Sequence, residues 1–193
     1  MPSKQFWEER WTNQQTGWDL GEASAPVRAF ADQLPDKTIS ILIPGCGNAY
    51  EAAYLLEKGF TDITLIDIAE QPVKHLRETL KPGSNQALRI IQGDFFEHEG
   101  SYDLILEQTF FCALDPSLRE AYAKKMASLL RPGGMLAGVL FNRDFEGGPP
   151  FGGHIDEYRN LFAPYFQISI LEPCYNSIAP RAGTEAFILL EKA

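Results

Sequence analysis

Five apolar runs of strand length, separated for the most part by helix-like segments, restrict this chain more than anything else in its sequence. They are TISILI (38–43), ITLIDI (63–68), LRIIQ (88–92), YDLILE (102–107) and GMLAGVLF (134–141). Most are apolar at consecutive positions, the pattern of strands covered on both faces. Between the first two, NAYEAAYLLEKG places Tyr50, Ala53, Tyr54 and Leu56–Glu57 at helical spacing and stops at Gly59. Asn48 and Glu51 there have the form of a capping pair. SLREAYAKKMASLLRPGG predicts another helix, opened by Asp115-Pro116 and closed by Pro132-Gly133-Gly134. Strand and helix in alternation predict a doubly wound α/β sheet.

The tail breaks the rhythm. FQISILEP (166–173) and EAFILLEK (185–192) have no helix between them. A short loop cannot make a parallel crossover, so the pair predicts an antiparallel hairpin at one end of a mostly parallel, seven-stranded sheet. No internal repeat or linker divides the 193 residues, which predicts a single domain over 1–193. The Gly/Pro-rich EGGPPFGG (146–153) follows a strand's carboxyl end, on the face where ligands bind.

Charge narrows the partners. The net charge of −9 is repelled by phosphate backbones, so no nucleic-acid partner is expected. No apolar run is long enough to span a bilayer, and MPSKQFWEERW does not have the form of a signal peptide, so a cytoplasmic protein is expected. Three cysteines, Cys46, Cys112 and Cys174, are widely spaced without a CxxC, which indicates neither a disulfide framework nor a metal site.

Chemistry gathers at the strand ends. The first strand runs into Pro44-Gly45-Cys46-Gly47, a Gly-x-Gly turn that lets backbone approach a ligand at a helix N-terminus. The full GxGxxG is absent, because Tyr50 stands where the third glycine would be, and two glycines alone also serve as a plain tight turn. Asp67 closes the second strand twenty residues after Gly47, where a carboxylate accepts ribose hydroxyls in such folds; capping the next helix is its other reading. Gly93-Asp94-Phe95 ends the third strand, with an acceptor for an adenine amino group and an aromatic wall, and Glu107-Gln108 ends the fourth. Together these four ends predict an adenosine site.

All three tryptophans, Trp7, Trp11 and Trp18, fall in the first 18 residues. They either staple an N-terminal helix to the core or form a lid over a cationic ligand, since aromatic faces attract positive charge.

IPGCGNAYEAAYLLEKGF, LIDIAE, GDFFE, YDLILE and LLRPGGML, in this order, resemble the class I S-adenosylmethionine-dependent methyltransferases, whose Rossmann-like fold also carries an antiparallel tail hairpin. The finer resemblance is to the thiopurine methyltransferase superfamily, closest to its thiol/halide (thiocyanate) branch. It rests on FWEERW…TGWDLGEASAPV, PGCG, FFCALDP, GGPPF and IAPRAG. The resemblance implies S-adenosyl-L-methionine as cofactor, contacted by Trp7, Trp11, Trp18, Gly45, Gly47, Asp67, Ile68, Asp94, Phe95 and Glu107, under a helical lid within residues 1–34.

It also implies methyl transfer to the sulfur, or another soft nucleophile, of a small molecule. A thiolate or soft anion needs no strong general base, and the histidines supply none. His98 lies on a solvated turn between two glutamates, His75 lies in a charged helix, and His154 alone is near the Gly/Pro loop. No catalytic side chain is therefore assigned. The substrate wall is expected from Gln108, Phe141, Phe151 and Arg181, with Phe110 and Phe111 read as core. Arg181 either draws anions to the pocket mouth or sits on the surface. In the thiol/halide enzymes tyrosines tend to match Gln108 and Phe141, and in the thiopurine enzymes an arginine matches Gln108. The missing hydroxyls point to a more apolar thiol. The rival readings are a nicotinamide-dependent oxidoreductase, which shares Gly-x-Gly and a following acid, and a non-catalytic module that binds S-adenosylmethionine or S-adenosylhomocysteine. A simple thiol separates the last from an enzyme by turnover.

Overall fold

A computed structural model describes residues 2–193. Two helices open the chain, α1 (Lys4–Thr12) and α2 (Ala25–Asp32). Strands and helices then alternate as β1 (Ser40–Pro44), α3 (Tyr50–Glu57), β2 (Asp62–Asp67), α4 (Glu70–Thr79), β3 (Ala87–Gln92), β4 (Tyr102–Gln108), α5 (Arg119–Leu129), β5 (Leu130–Phe141), α6 (Ile155–Phe162), β6 (Gln167–Pro173) and β7 (Glu185–Glu191). The sheet order is β3-β2-β1-β4-β5-β7-β6. Strands β1 to β5 run parallel to one another. Strand β7 inserts antiparallel between β5 and β6, which gives the expected tail hairpin.

Neighbouring residues on a strand point to opposite faces, so each apolar run feeds two cores. Ile41, Ile43, Leu65 and Leu104 pack under α2, α3 and α4 with Val27, Ala52, Leu55 and Leu76. Leu42, Ile66, Ile105 and Leu136 pack under α5 and α6 with Tyr122, Met126, Tyr158 and Phe162. Strand β1 is buried throughout, whereas the edge strand β3 alternates between covered and open positions. Sequential burial is therefore restricted to strands with neighbours on both sides.

Three local readings change. Helix α3 is entered through Ala49, which is left-handed (φ 49°) and supplies no side-chain cap. Asn48 instead donates to Asp19 and Tyr50, and Glu51 accepts the Ser24 N–H at 3.0 Å. Both side chains thus bind the N-terminal segment to the turn rather than capping the helix. Asp115 caps a single 3₁₀ turn (Pro116–Leu118), its side chain accepting from the Ser117 N–H, and α5 follows. The described part of the expected lid segment, residues 2–34, holds two elements of different burial: α1 has no buried residue, while α2 places Val27 and Ala31 in the core.

Because the sheet order reverses between β1 and β4, their carboxyl ends splay apart and leave a crevice at that edge. Pro44, Asp67, Gln92, Gln108 and Phe141 end the five parallel strands along it. Among the described residues, no helix is long and apolar enough to cross a membrane.

Candidate active site

The crevice is a cavity of about 810 Å³, bordered on one side by the N-terminal segment. Its floor begins at the turn after β1. Gly45 (φ 56°) and Gly47 (φ 50°) both take left-handed conformations that a side chain strains. A Cβ on Gly45 would lie 2.2 Å from the Phe110 ring, so this position has no room for one.

Asp67 braces the same turn. Its Oδ2 accepts the Gly47 N–H at 2.9 Å and its Oδ1 accepts the Ala69 N–H at 2.9 Å, at the start of α4. The carboxylate is buried, and desolvation holds it above the ordinary range despite these two donors. The cap and the ligand readings of Asp67 are thus compatible, because the carboxylate borders the cavity while it binds the turn and the start of α4. Ile68, Gly93, Asp94 and Phe95 continue the wall, with Asp94 fixed by the Phe96 N–H at 2.8 Å.

The three tryptophans form one cluster at the roof. Trp18 meets Trp7 edge-on at 5.5 Å and Trp11 at 5.9 Å, and all three rings border the cavity. Trp7 and Trp11 share a face of α1, and Trp18 lies beyond its end. Helix α1 is held to the body by Glu8, whose Oε1 accepts the Glu70 N–H of α4 at 2.8 Å.

The far end is aromatic with two cations. Phe141 and Phe145 meet edge-on at 4.9 Å, Arg181 lies over Phe141 at 5.3 Å and Arg143 over Phe145 at 4.7 Å. Arg181 is not a surface residue: it donates to the Trp18 carbonyl at 2.9 Å and pairs with buried Glu185 at 3.3 Å. It therefore joins the roof to the loop before β7. Gln108, Phe110, Leu114, Pro149 and Pro150 complete this end.

The cavity thus gathers Trp7, Trp11, Trp18, Gly45, Gly47, Asp67, Ile68, Asp94, Phe95, Gln108, Phe141 and Arg181. It does not gather Glu107 or Phe151. Side chains alternate along β4, so Glu107 and Gln108 cannot both face the crevice. Glu107 turns inward, fully buried, and receives hydrogen bonds from the Phe110 N–H, the Phe111 N–H and the Tyr122 hydroxyl. The Phe151 ring folds back against Gly148 in its own loop, and Phe145, Pro149 and Pro150 stand at the wall instead. Phe111 is core as expected, but Phe110 lines the cavity and meets Phe95 edge-on at 5.1 Å. Arg10, Arg143 and Phe145 carried no motif to mark them. The spacing of Phe145 four residues after Phe141, just before the Gly/Pro loop, was the available signal.

No histidine borders the cavity. His154 is exposed and pairs with Asp144 at 3.1 Å. His98 is not on a solvated turn: it is half-buried, 2.8 Å from the Tyr102 hydroxyl, and burial lowers its pKa. All three cysteines are free and buried, and desolvation pushes the Cys46 and Cys112 thiols well up. Among the described residues no group of three or more His, Cys, Asp or Glu side chains is placed to hold a metal ion.

Comparison with known proteins places this geometry in context. A family model described as thiopurine S-methyltransferase matches residues 2–189. A probable thiol methyltransferase of Arabidopsis thaliana is 31% identical over 187 residues, covering 93% of this chain and 81% of that protein. A thiocyanate methyltransferase of Brassica oleracea is 32% identical with the same coverage. Among solved structures, the 1,6-didemethyltoxoflavin-N1-methyltransferase of Burkholderia thailandensis, with bound S-adenosylhomocysteine, superposes with a TM-score of 0.75 at 18% identity. That match covers 98% of this chain and 87% of the other and attests the shared fold.

Proposed function

The chain belongs to the thiopurine S-methyltransferase family, and from that premise we propose that its cavity brings S-adenosylmethionine against the sulfur of a small, largely apolar thiol. The chain is an S-adenosylmethionine-dependent methyltransferase, and family membership removes the nicotinamide alternative. The observation that carries the reading is the joint lining of one cavity by the glycine turn, Asp67, Asp94-Phe95 and the three tryptophans.

The residues present fit the donor. Asp67 is buried, raised by desolvation and borders the cavity, so ribose hydroxyls are donors that would satisfy it further. Asp94 and Phe95 would receive the adenine, one as acceptor and one as wall. The glycine turn gives the backbone close approach at the N-terminus of α3, and the tryptophan rings offer π faces to a sulfonium. When bound, the donor supplies an electrophilic methyl group on a positively charged sulfur.

The chain's own part is alignment and dryness. In-line displacement asks that the nucleophile be aimed and water excluded. Phe110, Leu114, Phe141 and Phe145 would pack an apolar acceptor, and the tryptophan roof would keep water out. Arg181, anchored by the Trp18 carbonyl and Glu185, stands where its charge favours the thiolate form of an incoming thiol. The thiolate is itself the nucleophile, so a wall without histidine is sufficient.

Turnover with S-adenosylmethionine against thiophenol, hydrosulfide, thiocyanate and iodide tests this reading, with the S-methyl products and iodomethane identified by mass spectrometry. Methylated thiophenol is expected, with a kcat/KM at least tenfold above that for thiocyanate or iodide. Transfer to the inorganic anions in preference to thiophenol would overturn the apolar-thiol assignment, and transfer to none of the four would overturn sulfur methylation.

A further inference from the structure

Glu107 is the most deeply buried acid of this edge and has no part in the reaction described above. Its side chain is 0% exposed. Oε1 accepts the N–H groups of Phe110 at 2.6 Å and Phe111 at 3.1 Å, and Oε2 accepts the Tyr122 hydroxyl. The backbone between is strained, for Thr109 has φ 60°, a left-handed conformation that a β-branched residue enters at a cost. On the other side β5 comes so close that a Cβ on Gly138 would lie 1.9 Å from the Glu107 carbonyl oxygen. Glu107 is thus fixed from α5, from β5 and from its own turn.

What the turn carries explains why this matters. Gln108, Thr109 and Phe110 border the cavity, and the Phe110 ring lies against Gly45. We propose that Glu107 is the positioning residue of the acceptor wall, holding the strained Gln108–Phe111 turn in the geometry that faces Gln108 and Phe110 into the cavity. This rests on the reading of the cavity's aromatic end as the acceptor site. Glu107 touches neither ligand; it acts by satisfying two buried N–H groups that would otherwise pull the turn toward another partner. A glutamine does the same, its Oε1 accepting from both amides while its Nε2 donates to the Tyr122 oxygen. A leucine fills the space and satisfies neither.

The test compares Glu107→Gln and Glu107→Leu with the natural protein by amide hydrogen exchange, S-adenosylhomocysteine calorimetry and thiophenol turnover. In the leucine variant, exchange at Phe110 and Phe111 is expected to rise at least tenfold while the rest of β4 stays protected. Thiophenol kcat/KM is expected to fall at least thirtyfold, with S-adenosylhomocysteine affinity within fivefold. The glutamine variant is expected to restore both. Unchanged exchange at the two amides, or exposed amides with intact turnover, would overturn the proposal, as would equal losses of turnover and cofactor affinity. If the leucine variant does not fold, Glu107→Asp carries the same test, because it keeps the charge but withdraws the carboxylate by one methylene. A natural protein that does not methylate thiophenol would count against the acceptor reading, and exchange alone would then decide whether Glu107 holds the turn.

Discussion

Asp67 serves two ends of the site at once. By accepting N–H groups from Gly47 and Ala69 it ties the glycine turn to the start of α4 while it borders the cavity. Asp67→Ala is expected to weaken S-adenosylmethionine binding by about 1.5–3 kcal/mol, the range for hydrogen bonds to a charged group, or roughly tenfold or more in Kd by calorimetry. An unchanged affinity would remove the ribose role. Glu107 bears on stability through its proton. Burial raises its pKa from the ordinary 4.5 to about 7, so the folded protein holds this proton more tightly than the unfolded chain does. That contribution is full below the unfolded-state value and is lost as pH rises through about 7. Tyr122, Cys112 and Tyr158 beside it are all pushed upward and stay neutral over this window. Between pH 5 and pH 8 the natural protein is therefore expected to lose stability relative to Glu107→Gln, on the order of 3 kcal/mol. Thermal melts of both across that range check it, and parallel profiles would contradict it.

Among the elements, α1 is held differently from the others. It buries no residue, and it meets the body through Trp11 beside Gly47, through packing on α4 and through Glu8 at the first amide of α4. Asp67 takes Ala69 N–H and Glu8 takes Glu70 N–H, so the cavity floor and the roof meet at one helix N-terminus. Removing a capping acceptor costs about 1 kcal/mol, so Glu8→Ala is expected to lower Tm by about 2–4 °C and to speed S-adenosylhomocysteine release roughly fivefold. Stopped-flow tryptophan fluorescence reads this directly, and an unchanged release rate would show that α1 does not gate the cavity. The elements also show what was legible in the sequence. The parallel strands and tail hairpin followed from apolar runs and turn residues, because burial on both faces leaves a continuous signature. The start of α3 did not, since Asn48 and Glu51 spend their side chains on Asp19 and Ser24, 29 and 27 residues away in the chain. Contacts over that distance have no spacing to betray them.

At the scale of the whole molecule, the reversal of strand order between β1 and β4 opens one crevice, and the glycine turn, Asp67, Asp94-Phe95 and Gln108 at the parallel strands' carboxyl ends border it, while Glu107 turns away. This is why Gly45, Gly47, Asp67, Asp94 and Phe95 were readable from order alone: topology brings strand ends together whatever lies between them. The wall beyond was less readable because it comes from loops. Phe151 folds onto Gly148 and Phe145 takes the wall position, a choice set by loop packing rather than strand phase. Glu107 was misread for the opposite reason, since strand alternation turns it toward Tyr122. The cavity beneath the tryptophan roof is built for S-adenosylmethionine. Calorimetric titration of the purified protein, free of carried-over ligand, with S-adenosylmethionine and separately with NADH tests it most directly. Micromolar binding of the first and none of the second is the result expected; a folded protein that binds no S-adenosylmethionine would contradict the account.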